Sequence, residues 1–340
     1  MPFHQSRQIK GLGAVVALVV LLSACAAATP ATLASSDRRT SSPPAMIATT
    51  EPSPGPTVTT PAPATPSTPS TPSTPTARPF DAAAAQDLVE RLAGIGPRDA
   101  VSKAYRRAAN LVADKFTELG YTVRQQAVPV PAGVSWGVRV PSGTTVNVIA
   151  DPPGFDPDRP HIVLGAHLDT VPQAPGAEDN ASGVAVIVGL ARMLREQSAK
   201  LPVRLVAFGA EEARGSGGQW YAFGSRHFVG TLDDVQRKAV KAMVSLDRVG
   251  RAATAVPVCH GGRGSAAVVD DLRAAATIRT KACINRASDH VSFERVGIAT
   301  ARIGSVPYDQ YHSSKDVPGV VDARQLGRSA TVVWTWLRGL

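Results

Sequence analysis

The chain has 340 residues, a formal net charge of +9 and 44% hydrophobic residues, enough for one large domain with a sizeable core. The positive balance suits loose association with anionic lipid or cell-wall polymer. It does not indicate a nucleic-acid partner, because Lys and Arg are scattered and the aromatics needed for base stacking make up only 5% of residues.

The chain opens on a targeting signal. Arg7 and Lys10 precede an apolar run, Gly11 to Ala24, that is too short to span a bilayer comfortably. The run ends in Leu22-Ser23-Ala24-Cys25, which resembles the lipobox of bacterial lipoproteins. The resemblance implies a signal peptide over residues 1–25 and lipidation of Cys25. The protein is then exported and anchored on the outer face of the cell membrane without a transmembrane helix. Residues 26–79 are rich in Thr, Pro, Ser and Ala and contain TPSTPSTPSTPT. Such a tract cannot bury a core and reads as an extended stalk.

Residues 80–340 carry the globular pattern. Asp81 to Leu92 and Ser102 to Leu119 have helical spacing, the second with Tyr105, Ala108, Ala109, Val112 and Phe116 on one stripe. Tyr121 to Val130 alternates like a strand, and Thr145 to Ala150 is another. Ile162 to Ala166 is a buried strand that stops at His167-Leu168-Asp169. After a Pro-rich turn, Asp179-Asn180 lead into a helix over Ala181 to Leu194. Val203 to Gly209 is a buried strand ending in Glu211-Glu212, and Ala242 to Leu246 is one ending in Asp247. Ala255 to Cys259, a helix over Ala266 to Ala276, and Thr280 to Ile284 form a β-α-β unit. Ala299 to Ile303 precedes a loop with Tyr311-His312, and Ala323 to Leu337 closes the chain as a helix. Alternating strands and helices predict a three-layer αβα sandwich around a mostly parallel mixed sheet.

By itself, Asp179-Asn180 reads equally well as a helix cap and His167 as a core histidine. Set beside the other strand ends, they read differently. His167, Asp169, Asp179, Glu211, Glu212, Asp247 and His312 gather on one edge of a parallel sheet, where ligands bind. Imidazole and carboxylate ligands without thiolate suit zinc or another divalent first-row ion. The set is larger than one ion needs, and two ions bridged by one carboxylate would use it without crippling repulsion.

The ordered motifs resemble the di-zinc aminopeptidases of the M28 peptidase clan. They are His167-x-Asp169, Asp179-Asn-x-Ser-Gly183, Gly209-Ala-Glu-Glu212, Ser245-Leu-Asp-x-Val-Gly250, Ser288-Asp-His-x-x-Phe293 and Tyr311-His-Ser-x-x-Asp316. The resemblance implies one zinc on His167, Asp179 and Asp247, and a second on Asp179, Glu212 and His312. It makes Asp169 the partner that accepts a hydrogen bond from the His167 ring. Glu211 is then the general base, Tyr311 the group facing the oxyanion, and Asp316 the support of the His312 loop. Asp289-His290 read either as neighbours of the site or as a helix start. Cys259 and Cys283 are the cysteines left once Cys25 is lipidated, and export favours a disulfide between them.

Two features depart from the pattern. Residues 213–223, ARGSGGQWYAF, look inserted after the Glu pair, with Trp220 and Tyr221 free to line a substrate pocket. Arg248 follows the ligand Asp247 and could meet a substrate carboxylate. The M20 di-zinc group shares several motifs but inserts a dimerisation domain before its last ligand, and the span from Arg248 to Tyr311 is too short for one. The expected activity is therefore that of a monomeric zinc aminopeptidase acting on peptides. A dipeptidase, a carboxypeptidase, a glutaminyl cyclase and a non-catalytic peptide- or metal-binding lipoprotein are the alternatives.

Overall fold

The computed structural model describes residues 79–262 and 266–340. The expected leader, the lipidation site Cys25 and the stalk up to residue 78 lie outside the described residues. No helix among the described residues is long and apolar enough to cross a membrane.

Helix α1 (Ala82–Gly94) begins where the Asp81 carboxylate accepts the Ala84 N–H at 2.9 Å. Helix α2 (Lys103–Glu118) begins where Ser102 Oγ accepts the Tyr105 N–H at 3.0 Å, and its expected apolar stripe is buried. The strands in chain order are β1 (Thr122–Val130), β2 (Gly133–Ser135), β3 (Val138–Val140), β4 (Gly143–Asp151), β5 (His161–His167), β6 (Val203–Phe208), β7 (Val240–Leu246), β8 (Val256–His260), β9 (Thr280–Ile284) and β10 (Thr300–Ile303). The remaining helices are α3 (Ser182–Glu196), α4 (Phe223–Gly230), α5 (Asp234–Ala239), α6 (Ala267–Ala275), α7 (His290–Glu294) and α8 (Ala323–Gly339). The expected elements lie within two residues of these bounds. The β2–β3 hairpin and helices α4 and α5 were not anticipated, because such short pieces show no usable periodicity.

Eight strands form one sheet in the order β1-β4-β6-β5-β7-β10-β8-β9. Its centre is parallel, with β6, β5, β7 and β10 aligned, while β1, β4 and β8 join antiparallel. The period-two alternation of each central strand sorts its side chains between two cores. Ile162, Leu164, Leu205, Ala207, Val244 and Leu246 pack beneath α1, α2, α3, α6 and α8. Val163, Val206, Phe208 and Met243 face Phe228 and Phe293, from α4 and α7. A parallel sheet covered on both faces needs apolar residues at successive positions, hence the continuous apolar runs in the sequence.

Cys259 and Cys283 are directly opposite in the parallel pair β8–β9 and are joined by a disulfide. The bridge fastens the sheet's edge strand β9, whose side chains are largely exposed. A cross-link over 24 residues is worth about 3 kcal/mol by loop closure. Replacing both cysteines with serine should lower the denaturant midpoint accordingly, and an unchanged midpoint would rule this contribution out.

Candidate metal centre

The carboxyl ends of β5, β6 and β7 lie side by side because these strands are parallel neighbours. His167 ends β5, Glu211 and Glu212 follow β6, and Asp247 follows β7. His312 comes from the loop after β10, and Asp179 from the single turn (Ala177–Ala181) that enters α3. Asp179 sits between the two imidazoles. Its Oδ1 is 3.1 Å from His167 Nε2, and its Oδ2 is 3.1 Å from His312 Nε2. His312 Nε2 is also 3.2 Å from Glu212 Oε1, and His167 Nε2 is 3.9 Å from Asp247 Oδ2. Two groups result, His167–Asp179–Asp247 and Asp179–Glu212–His312, each with one ligand atom per residue and all such atoms within 4.8 Å of one another.

Three further carboxylates tie the ligand loops together. Asp169 accepts the backbone N–H groups of Glu211 at 2.9 Å and Glu212 at 3.0 Å. Asp316 accepts those of Glu178 at 2.9 Å and Asp179 at 3.1 Å, along with the Tyr308 hydroxyl. Glu178 accepts those of Gly250 and Arg251, just past Asp247. Each carboxyl group spans two separate segments through backbone N–H groups, so the loops are fixed relative to one another. Asn180 adds a tie to β7, donating to the Leu246 carbonyl at 2.9 Å and accepting the Arg248 N–H at 3.2 Å. A Cβ at Gly183 would run into that same Leu246 carbonyl, so glycine is required where α3 crosses the end of β7. Ala210, Arg248 and His312, beside or within the ligand set, are held at positive φ of 55°, 57° and 53°. Such geometry costs roughly 1–2 kcal/mol per residue and persists where the surroundings impose it.

The donor set fits divalent cations. Among the described residues, Asp247 Oδ1 is buried with no hydrogen-bond partner and Glu212 Oε1 meets only His312 Nε2, an arrangement that is costly unless another group completes it. Asp247 Oδ2, by contrast, is paired at 2.9 Å with the buried Arg302. The ligands are oxygen and nitrogen only, the set that suits zinc-like ions.

Without cations the cluster binds protons instead. Burial pushes Glu212 up to about 7, with the Asp179 charge adding to it against the pull of His312. Burial also pushes Asp289 up to about 7, helped by Asp169 and Asp247. Burial opposes charge on His312, yet Asp179 and Glu212 hold it up at about 10. His167 is raised in the same way, with Asp169 and Asp179 overcoming its burial. Asp179 is depressed well below the carboxylate range: burial works against this, but both imidazoles donate to it. The raised groups hold protons more tightly folded than unfolded. Their stabilisation is complete below the ordinary values of 4.5 for Glu212, 3.8 for Asp289 and 6.5 for His312. It is lost as pH rises through about 7 and then about 10. The contribution of Asp179 is already complete above its ordinary 3.8 and does not oppose the trend. Burial lowers His290 and His161, which oppose the trend only up to their ordinary 6.5, so metal-free protein should lose on the order of a few kcal/mol of stability between pH 6.5 and 9, and divalent metal should flatten the profile. Melting temperatures of chelated and metal-loaded samples test this; a metal-free midpoint that rises with pH would contradict it.

Every expected ligand lies in the cluster, and Tyr311 stacks on His312 with ring centres 3.7 Å apart. Two expectations are corrected, on the Asp169 hydrogen bond and on Trp220, and two are extended, on Asp316 and Asp289. The His167 Nδ1 hydrogen bond goes to the backbone carbonyl of Asp169 at 3.1 Å; the Asp169 carboxylate is 3.7 Å away and is engaged by the Glu pair. The carboxylate of Asp316 supports the Asp179 turn across the site as well as standing in the His312 loop. Asp289 stands at the start of α7 without capping it through its side chain, and is fully buried. Trp220 folds back on Gly215 within the 213–223 loop. The aromatic that reaches the site is Trp136, at the tip of the β2–β3 hairpin, whose ring stands edge-on to His312 at 4.3 Å. The buried Arg214 fastens that hairpin, donating to the carbonyls of Pro131 and Pro141 at its two feet and to Asp99. Sequence reasoning missed Trp136, Glu178 and Arg302.

Comparison with known proteins follows the same lines. The profile of peptidase family M28 matches residues 147–337. Aminopeptidase YwaD of Bacillus subtilis is 36% identical over 108 residues, covering 32% of this chain and 22% of its own length. The uncharacterized protein YfbL of Escherichia coli is 36% identical over 115 residues, covering 31% of this chain and 32% of its own. The aligned part is thus about a third or less of these relatives. Among solved structures, the zinc aminopeptidase BSAP from Bacillus subtilis superposes with a TM-score of 0.67 at 19% identity, over 76% of this chain and 94% of its own. A Bacteroides thetaiotaomicron glutaminyl cyclase superposes with a TM-score of 0.66 at 20% identity, over 78% and 100%.

Proposed function

We propose that this chain, which belongs to peptidase family M28, is an aminopeptidase that removes N-terminal residues from peptides with two zinc ions at the centre described above. The observation that carries the reading is the sharing of Asp179 between two complete ligand groups while the adjacent Glu211 belongs to neither. His167, Asp179 and Asp247 would hold one ion, and Asp179, Glu212 and His312 the other. Such ions supply polarisation of the scissile carbonyl and acidify a water.

The chain's own residues do the rest. Glu211 takes a proton from water as the oxygen bonds to the carbonyl carbon, and returns it to the amine as the carbon–nitrogen bond breaks. Asp169 orients this base through the Glu211 N–H. Tyr311 is kept neutral, raised by burial and then by the Asp179 and Glu212 charges, so its hydroxyl remains a donor for the developing oxyanion. The names of curated relatives support aminopeptidase action. The completeness of both ligand groups favours it over the single-zinc cyclase alternative.

Assays of zinc-loaded protein with aminoacyl-anilides, N-blocked anilides and N-terminal glutaminyl peptides decide between the readings. Hydrolysis of free-amine anilides only is expected. Cyclisation of the glutaminyl peptide without hydrolysis would replace the reading with a cyclase. We further propose that lipidated Cys25 tethers the enzyme outside the cell membrane as a monomer. A Cys25→Ala chain released from the membrane fraction is the expected result.

A further inference from the structure

We infer that Arg248 recognises a carboxylate of the substrate, so that the enzyme prefers peptides presenting an anion beside the scissile bond. The inference rests on the peptidase reading above and adds the substrate class to it. Two sources share this chemistry: the side chain of an acidic N-terminal residue and the free C-terminus of a dipeptide.

The centre carries two cations beside Asp247. Asp247 already has a charge partner, because Arg302 lies 2.9 Å from Oδ2 with its side chain only 2% exposed. Arg248 is a looser second charge partner of Asp247. Its Nε is 3.7 Å from Asp247 Oδ1, beyond hydrogen-bond length. Its side chain is 15% exposed, at the rim of the centre. Among the described residues the guanidinium makes one hydrogen bond, from an Nη to Ser305 Oγ at 2.7 Å. It carries five N–H donors, so most remain unused.

The group is also held in place before any ligand arrives. Its plane lies over the Tyr311 ring, 4.5 Å from the centroid. Ser305 Oγ is fixed from its other side by Asn285 Nδ2 at 3.0 Å. The backbone of Arg248 is bonded at both ends, its N–H to Asn180 and its carbonyl to the Ser305 N–H. A planar fork with spare donors, pinned on an aromatic ring, matches the geometry of a carboxylate. Its place beside Asp247 puts a bound anion within one side chain's reach of the ligand cluster. Trp136 also meets Tyr311, with ring centres 5.9 Å apart, and is 54% exposed, so the rim offers apolar surface as well as a cation.

Calorimetric titration of the zinc-loaded full-length protein tests this with two probe pairs. The α-amides of glutamate and glutamine report the side-chain source. Gly-Gly and glycylglycinamide report the C-terminal source. In at least one pair the carboxylate member should bind about tenfold tighter or more, as expected for a hydrogen-bonded charge pair. Arg248→Met should reduce that ratio to less than about threefold, and Arg248→Lys should keep part of it, with zinc content checked for each variant. If neither pair is separated by more than about twofold in the parent, or if the separation survives Arg248→Met, the inference is wrong. The parent's own ratios decide even if a variant does not fold. Hydrolysis of neutral anilides without these ratios would leave the peptidase reading standing and remove this one. The ratios without hydrolysis would do the reverse.

Discussion

Glu211→Gln should lose about a thousandfold or more in turnover while keeping its full complement of metal, the range associated with removing a general base being about 100- to 10,000-fold. The two halves of this expectation rest on different observations. Metal retention follows because Glu211 lies outside both ligand groups. Loss of turnover follows because the side chain is partly exposed beside the cluster and its carboxylate is tuned as a base. Burial raises its proton affinity well above the ordinary carboxylate value; Glu212, Asp289 and Asp247 add to this, and His167 opposes it. Bound cations would offset the three acidic neighbours and bring Glu211 back toward the range useful near neutral pH. Glutamine keeps the shape and cannot take the proton. The backbone N–H of residue 211 still bonds to Asp169, so the loop should stay in place. Metal analysis, circular dichroism and the pH dependence of kcat/KM together check the result. A variant as active as the parent would remove Glu211 as the base, and a variant that loses metal in step with activity would make it structural instead.

The ligand set was legible in the sequence because its placement depends on short-range facts. Three apolar runs long enough for buried strands end at or within three residues of an acid or a histidine, and parallel neighbours place their carboxyl ends on one edge. His167, Glu212 and Asp247 need nothing further to be gathered there. What holds them needs more. Asp316 reaches Glu178 across 138 positions, and no local pattern marks such a pair. Arg302 reads as one polar residue within a strand. Its role depends on the β10–β7 register, which sets it opposite Ser245, two positions before Asp247.

Other differences come from competition between neighbours. The Asp169 carboxylate was expected to orient the His167 ring. Two backbone N–H groups from the Glu pair claim it instead, and the ring turns to the adjacent carbonyl. The segment carrying Trp136 gave no strand signal because β2 and β3 have three residues each. The inserted loop after the Glu pair was expected to supply the pocket's aromatic. Trp220 packs on Gly215 within that loop, and the loop's buried Arg214 clamps the hairpin that carries Trp136. These are long-range hydrogen bonds to backbone groups, and a linear pattern of apolar residues carries no record of them.

Asp179→Ala should remove both metals together, whereas Glu212→Gln or Asp247→Asn should disturb the group each belongs to. The reason is geometric: Asp179 presents Oδ1 toward His167 and Oδ2 toward His312, 3.1 Å from each Nε2, so one side chain serves both groups. Alanine removes both oxygens but not the backbone hydrogen bond from residue 179 to Asp316, so the turn keeps its anchor. Activity should fall below detection, a loss of about 10,000-fold or more if both the polarised carbonyl and the acidified water depend on the ions. Stability gives a second readout. Metal that binds only the folded chain stabilises the parent by about 3 kcal/mol at a hundredfold excess over Kd, so a chelator should lower the parent's melting temperature. In Asp179→Ala the same chelator should have no effect, because there is no bound metal to withdraw. Stoichiometry by elemental analysis separates the shared-ligand arrangement from two independent sites. Retention of one ion per chain in Asp179→Ala would show that the carboxylate serves a single group and that the second is assembled without it.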